Sequence, residues 1–71
     1  MSNNVSVLMF DIPREMNTLE KRINRELHKM GAEMMQHSVW KSEDISELMK
    51  IALEIKRSGG SARILEERFI F

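Results

Sequence analysis

Seventy-one residues make one domain whose core is near the smallest a single chain can stabilise, and they leave no room for a second. With no cysteine present, disulfides and cysteine-ligated zinc are excluded as supplements to that core, and the chain suits a reducing compartment. Eleven Lys and Arg balance eleven Asp and Glu, which excludes a pull of the whole chain on nucleic acid and restricts any such role to a local patch.

No apolar run is long enough to cross a bilayer, and Met1-Ser2-Asn3-Asn4 lacks the basic and apolar regions of a signal peptide, so the expected location is cytoplasmic with no membrane partner. A core this small gains most cheaply from a second copy, which makes a homodimer the expected assembly.

Residues 5–13, Val-Ser-Val-Leu-Met-Phe-Asp-Ile-Pro, read as a strand rich in β-branched and aromatic side chains that Pro13 ends. Val5, Val7 and Met9 fall on one face, Leu8 and Phe10 on the other, so both faces need cover and the strand belongs in the middle of a sheet. Asp11 sits where this strand runs out. Two readings of it stand open: a rigidly held carboxylate available to a metal, or a turn residue bonded to its own backbone.

After the polar link Arg14-Glu15-Met16, Asn17-Thr18-Leu19-Glu20 has the form of a capping box, with Asn17 as acceptor and Glu20 reaching back. Leu19, Ile23, Leu27 and Met30 recur at helical spacing, and Gly31 supplies a left-handed stop. Off that stripe, Lys21, Arg25 and Lys29 follow at four-residue intervals with Arg22 and His28 alongside. With Arg14 they form the candidate nucleic-acid surface, although Glu20 and Glu26 dilute it to the point where a solvated mixed-charge face is the ordinary alternative. No aromatic side chains interleave with these cations, which argues against recognition by base stacking.

Residues 32–41 hold two short strands, or one strand bent near Gln36 and His37, without the Asn-Gly pair of a tight hairpin. Ser42 is placed to cap a second helix that carries Glu43 and Asp44 in its first turn. Ile45, Leu48, Met49, Ala52 and Ile55 face one side of that helix, Ile51 and Leu53 widen the stripe, and Ser58-Gly59-Gly60-Ser61 stops it. Residues 62–71 read as a last strand, closing on Phe69-Ile70-Phe71, apolar on both faces and expected to pair with a second copy. Neither histidine has a metal-ligand spacing, and no Ser, His and Asp set points to nucleophilic catalysis.

The order strand, helix, strand, strand, helix, strand predicts an α+β, ferredoxin-like βαββαβ domain over residues 1–71, with both helices on one face of an antiparallel sheet. One sheet face is then bare, and two such sheets packed together would cover it. Val7, Met9, Trp40, Phe69, Ile70 and Phe71 are the expected dimer contacts, with core packing an equal alternative for Trp40.

With Phe10-Asp11-Ile12-Pro13 ending the first strand, a helix closing at Gly31 and Gln36-His37-Ser38-Val39-Trp40 in the middle, the chain resembles the CRISPR-associated Cas-two family over nearly its whole length. It is also similar to the Cas-two-like C-terminal domain of phenylacetate-operon repressors, where an Asp-Ile-Pro and a Ser-Val-Trp stand in the same places. The first resemblance implies a homodimer whose two copies of Asp11 lie near the two-fold axis and hold Mg2+ for cleavage of RNA or DNA. It further implies a CRISPR integrase as partner and duplex DNA as cargo. The second implies a non-catalytic dimerisation or regulatory module with no CRISPR role.

Overall fold

The computed structural model describes residues 5–66. Within them the chain forms β1 (Ser6–Asp11), a 3-10 turn (Arg14–Met16), α1 (Asn17–Lys29), β2 (Glu33–Gln36), β3 (Val39–Ser42), α2 (Ile45–Arg57) and β4 (Ser61–Glu66). The strands join in the order β2-β3-β1-β4, every neighbouring pair antiparallel, so the apolar first strand is central as its sequence requires. This is the ferredoxin-like α+β arrangement expected from the element order. Phe69, Ile70 and Phe71 lie outside the described residues.

The alternation in β1 divides the sheet. Leu8 and Phe10 turn to the helices and enter a core with Ile23 and Leu27 of α1, Trp40 of β3, and Leu48, Ile51 and Ile55 of α2. Val7, Met9 and Asp11 turn to the opposite face. Trp40, expected at a dimer contact, is 1% exposed inside this core and offers no surface to a partner. Its Cα partners are Leu8 and Met34, so the strand register, which the residue types alone do not reveal, points it at the helices. The ring of His28 on α1 meets it edge-on at 4.9 Å and 89°.

Both helix starts differ from expectation. Asn17 is already helical and caps nothing. The Met16 N–H donates to the Pro13 carbonyl at 2.9 Å, so the 3-10 turn runs straight into α1, and Glu20 faces His37 at 3.5 Å instead of reaching back. At α2 the cap is Asp44, whose carboxylate accepts from the Glu47 N–H at 3.1 Å. Ser42 is the last residue of β3, and its hydroxyl accepts from the Asp44 N–H at 3.0 Å. Gly31 closes α1 as expected, with φ +85° and the Ala32 N–H returning to the Leu27 carbonyl.

The hairpin between β2 and β3 turns through His37 and Ser38, with Ser38 in the left-handed region at φ +64°. Register shifts between Met34 and Gln36, which makes Met35 an extra residue in the edge strand. The Ser38 carbonyl accepts from the Phe10 N–H at 3.1 Å and ties this turn to the end of β1.

The apolar stripe of α2 is split. Leu48, Ile51 and Ile55 are buried, whereas Ile45, Met49 and Leu53, expected on or beside the inward face, stand 44%, 53% and 50% exposed. A helix turns through 100° per residue, so these seven apolar side chains spread over an arc wider than one sheet can cover. No described helix is long and apolar enough to cross a membrane.

Candidate functional site

Asp11 is positioned by backbone alone. It is the last residue of β1, its Cα partner is Ser61, and the Gly60 that follows α2 passes close beside its carbonyl. Its carboxylate is exposed and accepts no hydrogen bond among the described residues, so the turn-bonding reading of this side chain has no counterpart in the geometry. A shallow cavity here is lined by Met9, Phe10, Asp11, Ser61, Ala62 and Arg63, and no second carboxylate joins them. Among the described residues no group of three His, Asp or Glu side chains gathers around a metal-sized space. A magnesium ion takes one or two carboxylates with waters and substrate phosphates, so one copy of the chain offers here the smaller of those donor sets, a single carboxylate among the described residues. Asp11 shares its sheet face with Met9, the face that carries no helices, and any second carboxylate must approach from there.

Met9 is 39% exposed on that face, beside half-buried Val39 and Leu65. Val7 is on the same side but already buried, so of the expected contacts within the described residues Met9 is the accessible one.

A second constellation lies on α1. Lys21, Arg25 and Lys29 are exposed and form no ion pair among the described residues; at four-residue spacing their Cα atoms climb the helix in steps of about 6 Å. Arg14 is exposed in the 3-10 turn before the helix. Arg22, expected among these cations, is also paired with Glu54 and bridges α1 to α2. A pair this exposed is weak, so Arg22 stays with these cations while sharing its guanidinium with Glu54.

No family model and no curated protein matches this chain. The function therefore has to be read from its own surfaces. The sequence reading missed Arg63, which the β1 and β4 register brings next to Met9 and into the Asp11 cavity. A pairing register between strands fifty residues apart leaves no local signal. The His28 and Trp40 contact was missed because it depends on how α1 packs against the sheet, which spacing along the chain does not reveal.

Proposed function

We propose that this chain is a cytoplasmic, Cas-two-type adaptation protein: a homodimer that packs its helix-free sheet faces together, binds nucleic acid along α1 and bridges a CRISPR integrase. The observation that carries this reading is that Asp11 and Met9 share the bare sheet face, so face-to-face pairing brings two carboxylates towards one axis and covers apolar surface in the same step. A divalent cation between those carboxylates would offset phosphate charge and acidify a bound water. Asp11 would be its ligand, and Arg63, lining the same cavity, would face the phosphate.

Met9→Glu is expected to shift the protein from dimer to monomer in sedimentation, since two buried unpaired carboxylates oppose the contact. Asp11→Ala is expected to keep the dimer and abolish any divalent-metal-dependent cleavage of RNA or DNA. A dimer unmoved by Met9→Glu would end the paired-sheet reading, and equal cleavage by Asp11→Ala under matched metal titration would remove Asp11 from the chemistry.

For the ridge on α1, replacing Lys21, Arg25 and Lys29 by alanine is expected to lower nucleic-acid affinity and to flatten its salt dependence, by a slope of about 3 for duplex DNA and about 2 for a single strand. An unchanged slope in anisotropy titrations would place the nucleic acid elsewhere.

The isolation of Asp11 from other ligating side chains favours a second reading, a dimerisation or regulatory module without catalysis. A wild-type dimer with no cleavage of either nucleic acid in the same titration selects it.

A further inference from the structure

A cleft of about 420 Å3 opens between the two helices, lined by Arg22 of α1 and by Lys50, Leu53, Glu54, Arg57 and, just past the end of α2, Ser58. Lys50, Glu54 and Arg57 stand at the spacing that puts them on one face of α2, and Arg22 reaches Glu54 from the other side. Three cations therefore converge from two helices on one opening.

Two carboxylates answer them. Glu54 is held by Arg22, and Glu47, outside the lining, accepts from the Lys50 ammonium at 3.2 Å. Arg57 is exposed and has no ion pair among the described residues, so its guanidinium is the surplus charge of the cleft. Both pairs are well exposed and weak, which leaves the remaining N–H groups of Arg22 and Lys50 free to turn to a second anion. A guanidinium fork matches two oxygens of a phosphate, and Lys50, Arg22 and the Ser58 hydroxyl approach from the other sides. A phosphodiester has two free oxygens to offer such a ring of donors, and a phosphomonoester has three.

We infer that this cleft binds a phosphomonoester, with Arg57 as its main ligand, Arg22 and Lys50 completing the ring, and Leu53 offering apolar surface to the group that carries the phosphate. The terminal phosphate of a nucleic-acid strand and that of a free small molecule have this same chemistry. Lys21, Arg25 and Lys29 do not line the cleft, so the inference stands apart from the ridge on α1 and from the paired sheets.

The test is an amide-shift titration by NMR with adenosine monophosphate and with its methyl ester, which has lost the third oxygen. Saturable shifts are expected around Arg57 and Ser58, with the ester binding about tenfold more weakly. Arg57→Ala should weaken the monophosphate by about tenfold. Lys56→Ala removes the same charge from the same helical turn but does not line the cleft, and it should change nothing. Glu54→Gln, which keeps an oxygen for Arg22 and removes the repulsion, should tighten binding by about threefold. A short oligonucleotide carrying a terminal phosphate is then compared with its hydroxyl-ended twin. Preference for the phosphorylated strand that vanishes in Arg57→Ala makes a strand end the source, and equal binding of the two strands beside Arg57-dependent binding of the mononucleotide makes it a small molecule. Equal losses in Arg57→Ala and Lys56→Ala would mean that only net charge acts, and would overturn the inference. So would equal affinity for monophosphate and ester, or the absence of saturable shifts.

Discussion

Trp40→Ala is expected to unfold most of the protein at room temperature. Emptying the space of a fully buried indole costs about 3–5 kcal/mol, which is comparable to the whole stability of a domain of this size. Trp40 lies between the helix-facing side of β1 and the ring of His28, so its loss loosens sheet and helix together. Trp40→Phe should be far milder. The indole Nε1 is buried without a hydrogen-bond partner among the described residues, and phenylalanine removes that orphan donor along with part of the volume. Urea titrations of the two variants check this. If alanine and phenylalanine destabilise equally, the nitrogen has an acceptor and the ring volume is not what holds the core.

Gly60→Ala has the second large effect. A Cβ at this position would stand 2.7 Å from the Asp11 carbonyl oxygen and 2.8 Å from Ile55 Cγ2, the first a backbone atom and the second a side chain fixed in the core. Neither yields without moving the end of β1 away from α2, so a loss of about 1–3 kcal/mol is expected. Since the shift falls on the residue that carries the candidate carboxylate, any metal-dependent cleavage should fall further than stability does. Comparing activity well below the melting temperature with a melt of the same sample separates the two effects. Gly31, where a Cβ meets nothing within 4 Å, provides the contrast: Gly31→Ala is resisted by its backbone angle and not by a collision.

Much of the architecture was legible because it rests on local chemistry. The two-faced apolar pattern of β1 placed it centrally, Pro13 and Gly31 marked real ends, and Leu48, Ile51 and Ile55 belong to a stripe visible in the spacing. What was not legible depends on register and on competition among equivalents. Asn17, Ser42 and Asp44 are all competent caps, and only the extent of β3 and the 3-10 turn decided among them. Trp40 looked like an interface anchor as much as a core residue because size alone does not say which side of a strand is inward. Arg22 looked like its neighbours Lys21 and Arg25, and only the packing of α1 beside α2 reveals that it shares Glu54. At the candidate site, Asp11 was readable from its place before Ile12-Pro13, and Arg63 was not, since only the β1 and β4 pairing brings it there.

The extra residue in β2 gives the two borders of the sheet different fates. Met35 interrupts the regular hydrogen-bonding ladder on one border, while β4 on the other follows β1 in unbroken step from Ser61 to Glu66. Among the described residues, a molecule of this kind has one border hospitable to an added strand and one that discourages it. Joining through hospitable borders exhausts itself after two molecules, because the far side of each is the interrupted one. Edge pairing by itself would therefore stop at two molecules.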